Sequence, residues 1–313
     1  MLTSTNEARR QPGFVAEQSP ASIDSAPVRT VGIVSPGAMG SALAKTLVRG
    51  GVRVIATVSD RSPRTAGFAD LAGVELLPDL AAVVREAHVV VSIVPPETAE
   101  TVAADLAEEA RRVTPRPLIA DLNAIAPSTA RRIQAKAAAV ECDFVDGSIS
   151  GPPPWTPGTT RVYLSGPRAA EVAELPFEGV DRIVVGEAAG AASAVKMSTA
   201  SVYKGTTGLI AQALLAADAN GVLEHVLADL RSGAPELVSR VERRLATAAA
   251  KSGRYVAEMH EIAASQSAAG LTPALFEAMA EVYSALAQTS LAQAKPEDVP
   301  ADLELREVLE GLH

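Results

Sequence analysis

A single cysteine, Cys142, in 313 residues leaves no partner for an intrachain disulfide and no means of building a cysteine metal cluster. Cys142 therefore reads as a small buried hydrophobe rather than a nucleophile. Histidine is nearly as scarce: His88, His225, His260 and His313 show no pair spaced like H-E-x-x-H, so no metal is expected. Aromatic residues make up only 3% of the chain, so the core must be built from Ala, Val, Leu and Ile. The net charge of -9 argues against the basic face that nucleic acid requires. No apolar run is long and uninterrupted enough for a convincing membrane span. Residues 1–27 are polar and proline-containing and lack the apolar stretch of a signal peptide. They read as a disordered N-terminal extension of a cytoplasmic protein.

What is present is a regular alternation. Buried strands are expected at Thr30–Ser35, Val52–Ser59, His88–Pro96, Pro117–Asn123 and Cys142–Ser150, with helices at Ser41–Gly50, Leu77–Ala87, Glu97–Val113 and Ala126–Val140 between them. Strand–helix alternation predicts a parallel sheet covered on both faces. After Gly186 the strand signals stop. Helical patterns follow at Glu187–Val222, Ala234–Gly253, Tyr255–Gly270 and Thr272–Leu291. The expectation is an α/β, Rossmann-type doubly wound domain over residues 28–186, followed by an all-α domain over 187–313.

The first strand–helix junction reads Ser35-Pro36-Gly37-Ala38-Met39-Gly40, the G-x-G-x-x-G pattern with serine in its first place. Gly37 would let the backbone approach a pyrophosphate, Gly40 would let the helix pack on the strand, and the helix start would offer N–H groups to the phosphates. At the end of the second strand Asp60 favours the free ribose hydroxyl of NAD. Ser59, Arg61, Ser62 and Arg64 favour the 2′-phosphate of NADP, because guanidinium matches phosphate. The balance favours NADP(H) over NAD(H).

Six segments, "GIVSPGAMG", "VVVSIVPP", "IADLNAIAPSTAR", "FVDGSISGPPP", "GTTRVYLSGP" and "GAASAVKMS", occur here in the order found in the β-hydroxyacid dehydrogenases. The chain resembles that superfamily, which includes 3-hydroxyisobutyrate and 6-phosphogluconate dehydrogenases and imine reductases, over about residues 30–290. It is most similar to a bacterial branch with a distinctive C-terminal helical domain. The resemblance implies a homodimer formed through the helical domain, and a catalytic lysine, Lys196, in the first interdomain helix, serving as proton acceptor or donor. It also implies cofactor contacts from Val94, Pro95 and Pro96, a place near cofactor and substrate for Asn123, and substrate contacts from Ser150, Gly151 and Pro152.

The departures concern the substrate. Where relatives carry Asn four residues after the lysine, this chain has Ala200; where phosphogluconate dehydrogenases carry Glu and then Tyr, it has Tyr203 and Lys204. Lys196, Ala200 and Tyr203 share a helix face, so Tyr203 is a second candidate for the reacting site. Lys204 could depress the pKa of Lys196, bind an anionic group, or simply pair with an acid. His260 and Glu261 occupy the place of a Lys-Asp pair that faces the active site in relatives, which makes His260 a candidate substrate contact. Trp155 either walls an apolar pocket or lies at a loop tip or dimer contact. Phosphogluconate itself is disfavoured, since no basic cluster for its phosphate is apparent. The expected function is hydride transfer between a nicotinamide and a small hydroxy acid or its carbonyl partner; the alternatives are an imine reductase or a non-catalytic cofactor-binding protein.

Overall fold

The computed structural model describes residues 30–59, 61–296, 298–300 and 302–312. The proposed extension at 1–27 lies outside them, as does Asp60.

The first half alternates as β1 (Thr30–Val34), α1 (Ala38–Arg49), β2 (Arg53–Ala56), α2 (Pro63–Ala72), β3 (Glu75–Leu76), α3 (Leu80–Glu86), β4 (Val89–Ser92), α4 (Ala99–Ala110), β5 (Leu118–Asp121), α5 (Pro127–Ala138), β6 (Phe144–Ser150), β7 (Thr160–Ser165), α6 (Ala169–Ala173) and β8 (Val180–Gly186). Local chemistry sets several starts. The Ser62 hydroxyl accepts from the Thr65 amide ahead of Pro63, and the Asp79 carboxylate accepts from the Ala82 amide at 2.8 Å. The eight strands form one sheet in the order β3-β2-β1-β4-β5-β6-β7-β8. Neighbours from β3 through β6 are parallel. Strand order reverses at β1, and the carboxyl ends of β1 and β4 flank the resulting crevice, the usual ligand position in such sheets.

The expected all-parallel sheet needs one correction: β7 runs antiparallel to β6. Only residues 151–159 connect them, too few for a crossover to a parallel neighbour. One apolar layer joins the sheet to α1, α2 and α6 through residues such as Leu43, Ala69 and Val172; the other joins it to α4 and α5 through Leu106 and Ile133.

Beyond β8 the chain is helical: α7 (Ala191–Ala219), α8 (Leu223–Gly233), α9 (Pro235–Val238), α10 (Val241–Ala249), α11 (Ser252–Ala268), α12 (Ala274–Leu286) and α13 (Leu305–Leu312). The single helix expected over 234–253 is therefore two, α9 and α10, broken where Arg240 takes a left-handed φ of 51°. The second core gathers around α7, with Leu214, Leu245, Met259 and the wholly buried Tyr283. Tyr255 meets Tyr283 edge-on at 5.2 Å, and the Tyr283 hydroxyl donates to the Lys204 carbonyl at 2.8 Å. No helix among the described residues is long and apolar enough to cross a membrane.

Candidate active site

The loop between β1 and α1 is built for a close ligand. Ser35, in the place of the first glycine, adopts φ 61°, the left-handed conformation that favours glycine there. The Gly37 amide donates to the Ser35 carbonyl at 2.7 Å, and the Ser41 hydroxyl to the Pro36 carbonyl at 2.6 Å. A Cβ on Gly40 would stand 2.7 Å from the Ser35 carbonyl oxygen, so helix and turn meet only because that carbon is missing. A Cβ on Gly37 would meet nothing within 4 Å. α1 begins at Ala38 with no side-chain cap, and Met39 packs against the sheet. Open space before Gly37 and an uncapped helix start fit a dinucleotide pyrophosphate.

At the end of β2, Ser62 is occupied as the cap of α2, with its hydroxyl 3.2 Å from that of Thr65. The Ser59 amide donates to the Thr57 hydroxyl, and the Arg64 guanidinium lies over the Phe68 ring at 5.1 Å. Arg61 is exposed, with no carboxylate partner among the described residues.

The ends of β4 and β5 are tied by Asn123, which is 2% exposed. Its Oδ1 accepts from the Val94 amide at 2.6 Å, and its Nδ2 donates to Asp121 Oδ2 at 2.8 Å and Ser92 Oγ at 3.2 Å. Both amide hydrogens are thus committed. Asn123 thus positions Val94, Pro95 and Pro96, and one acceptor lone pair remains on its Oδ1. Pro95 is exposed, whereas Val94 and Pro96 are buried. Burial pushes the Asp121 carboxyl up to about 7, opposed by the Asn123 amide and reinforced by the nearby Asp146 charge.

The end of β6 meets the start of α7. The buried Asp146 carboxylate accepts from the Ser193 hydroxyl at 2.6 Å, the Ser165 hydroxyl at 2.8 Å, and the Gly190 and Ser193 amides at 2.9 and 3.1 Å. It thereby satisfies the orphan donors and the positive end of α7. The Ser148 hydroxyl donates to the Ala192 carbonyl at 2.8 Å. These bonds fix the rotation of α7 and so the direction of Lys196. The Lys196 Nζ donates to the Ile149 carbonyl at 2.7 Å, its one protein partner among the described residues. Burial, and then the Arg254 charge, lower its ammonium to about 8. Next to it, the half-buried Ser150 hydroxyl has no partner among the described residues. Gly151 turns the chain with φ 119° and lies against Thr159, where a Cβ would come within 2.3 Å of the carbonyl. The Pro152 carbonyl accepts from the Thr160 hydroxyl at 2.5 Å. Trp155 is 38% exposed, with the Lys45 ammonium of α1 5.6 Å from its ring centre.

Other candidates fall differently. Tyr203 is 70% exposed, whereas Ala200 on the preceding turn is buried. Lys204 forms a buried ion pair with Glu258 and lies 4.3 Å from the Tyr255 ring centre. Burial and the Lys196, Arg254 and Lys251 charges press its ammonium down, against the attraction of Glu258. Lys196 and Lys204 repel one another, and the Arg254 charge bears on both. His260 is exposed, about 200° around α11 from Glu258. The face of α11 turned toward α7 carries Arg254 and Glu258, and His260 lies off that face. Its neighbour Glu261 accepts from the Ala126 amide at 2.5 Å and the Thr129 hydroxyl at 2.9 Å, clamping α11 onto the start of α5. Asp146, Arg254 and Glu258 carry no signal in the sequence because an isolated acid or base has no local pattern; only the fold brings them to α7.

Comparison with known proteins agrees with this geometry. Residues 30–170 match the NAD binding domain of 6-phosphogluconate dehydrogenase, and residues 217–286 match a domain of unknown function. A conserved protein from Sinorhizobium meliloti is 28% identical, with a TM-score of 0.65 over 91% of this chain and 96% of its own. A conserved protein described as structurally similar to 3-hydroxyacid dehydrogenases is 29% identical, with a TM-score of 0.63 over 82% and 96%. The 3-hydroxyisobutyrate dehydrogenase of Mycobacterium tuberculosis, solved with L-serine, shares the fold at 22% identity, with a TM-score of 0.65 over 91% and 99%. The first domain is thus an NAD-binding domain of a dehydrogenase-like oxidoreductase. The fold as a whole is similar to that of the β-hydroxyacid dehydrogenases, with a helical domain following the nucleotide-binding one.

Proposed function

We propose that this protein is an NADP(H)-dependent oxidoreductase acting on a small hydroxy acid or its carbonyl partner, with Lys196 as the proton acceptor in oxidation and donor in reduction. The observation that carries the reading is Lys196 itself, half-buried, lowered to about 8, and held by one bond to the Ile149 carbonyl beside Ser150 and Gly151. A nicotinamide on the Gly37 loop would accept or supply the hydride. With one N–H committed to Ile149, the neutral amine keeps a lone pair for the hydroxyl proton as the carbon–oxygen bond becomes a carbonyl. In the opposite direction the ammonium returns that proton. Near neutral pH both forms are populated, as general acid–base work requires. Ser150 is the free hydroxyl placed to hold the substrate. A lysine rather than the Asp or Tyr usual in imine reductases favours the hydroxy acid over the imine.

Arg61 supports NADP(H), since its exposed guanidinium is unclaimed by a carboxylate among the described residues. The homodimer is supported by Val202, Leu209, Leu271 and Leu275, large apolar side chains left exposed on α7 and around the start of α12. We place the protein in the cytoplasm. A panel of β-hydroxy acids and cyclic imines, each with NAD(H) and NADP(H), tests the reading. Turnover of a hydroxy acid with NADP+ that is lost in Lys196→Ala is expected; unchanged turnover in that variant contradicts it.

A further inference from the structure

A cavity of about 550 Å³ opens between α7, α10, α11 and α12, beginning two turns beyond Lys196. Its wall includes Lys204, Arg240, Arg243 and Arg244, with Tyr203 and Tyr255, and no carboxylate lines it. Lys204 is neutralised by Glu258, but among the described residues no carboxylate lies within ion-pair distance of the three arginines. The Arg244 guanidinium donates to the Leu237 carbonyl, and its Nε is buried without a partner.

This arrangement is costly to an otherwise acidic chain. Positions 240, 243 and 244 fall on one side of the start of α10, so three like charges are neighbours. Cations at the start of a helix also meet its positive end, the less favourable sign. Arg240 additionally sits in the left-handed region that suits glycine. Among the described residues no carboxylate pairs with these charges; a ligand of opposite charge would.

We propose that this cavity binds an anionic group, a carboxylate or phosphate, through Arg240, Arg243 and Arg244, with Tyr203 at its exposed mouth. Lys196 and Lys204 are eight residues apart on α7, about 12 Å along the axis. The anion therefore belongs either to the far end of an elongated substrate reacting at Lys196 or to a separate effector. The site itself does not depend on the reaction proposed above.

Inorganic phosphate is the probe, titrated calorimetrically into the full chain at constant ionic strength. Saturable binding is expected, weakened at least tenfold in Arg240→Gly/Arg243→Gln and unchanged in Arg231→Gln, a charge control on α8. Glycine suits the backbone at 240 and Arg243 is exposed, so misfolding does not explain the loss. Binding that persists in Gly37→Val separates this site from the nucleotide loop. Competition between phosphate and the hydroxy acid turned over assigns the anion to the substrate; binding without competition assigns it to an effector. Absence of saturable binding, or equal binding by the double variant, overturns the proposal. So does an arginine variant that splits an oligomer while phosphate binds neither protein, since a partner chain then fills the cavity.

Discussion

At the candidate site several single residues depart from ordinary folding preference. Ser35 occupies the left-handed region, at a cost of about 1 kcal/mol relative to glycine. Ser35→Gly is therefore expected to raise the melting temperature without the cofactor and to leave cofactor affinity intact; a lower melting temperature contradicts the role given to that turn. Lys196 holds a cation where burial disfavours it. Its folded pKa is below that of the unfolded chain, so the cost is complete below pH 8, declines as pH rises from about 8 toward the ordinary lysine range, and vanishes above it. Lys196→Met is expected to be about 2 kcal/mol more stable than the parent at pH 7, with the difference closing by about pH 10.5. Denaturant melts at several pH values measure this. Asp121 acts in the opposite sense: raised to about 7, it favours the fold below about pH 4 and loses that contribution as pH rises through 7. Asp121→Asn is expected to flatten that slope.

Elements carry these residues to one another. The start of α1 and the carboxyl end of β1 make the nucleotide loop, so a side chain at Gly37 would fill the ligand's space while leaving the fold intact. Gly37→Val is expected to keep the parent's melting temperature and lose the stabilisation that saturating NADP+ gives; a persisting shift refutes the loop as the cofactor site. The start of α7 is held by Asp146, and Asp146→Ala leaves four donors without their acceptor. It is expected to cost about 2–4 kcal/mol in denaturant unfolding and to lower turnover further by freeing α7. The loop, the sheet strands around it and α7 were legible in the sequence because glycine spacing, β-branched runs and helical periodicity are local. β7, β8 and the break at Arg240 were not. β7 follows a proline-rich return, and "RVERR" reads as a solvated helix face; only the packing of α7, α11 and α12 makes it one wall of an open cavity. His260 drew notice by its place in the family resemblance, yet the face of α11 turned toward α7 is set by packing and carries Arg254 and Glu258.

For the whole molecule, the two halves meet through a few polar clamps: Asp146 on α7, Lys196 on Ile149, and Glu261 on the start of α5. Lys196 thus comes from the helical half, and the surface it faces comes from the sheet. Leu209→Glu on the exposed face of α7 is expected to convert a dimer into monomers in sedimentation; an unchanged dimer would place the interface elsewhere. The central claim is that the fold lowers Lys196 into the range where it exchanges a proton near neutrality. The most direct measurement is an NMR titration of ¹³C-dimethylated lysines in the full protein, with Lys196→Met used to assign the signal. A midpoint near 8 for Lys196 is the predicted result. A midpoint at the ordinary lysine value of about 10.4 would contradict the account.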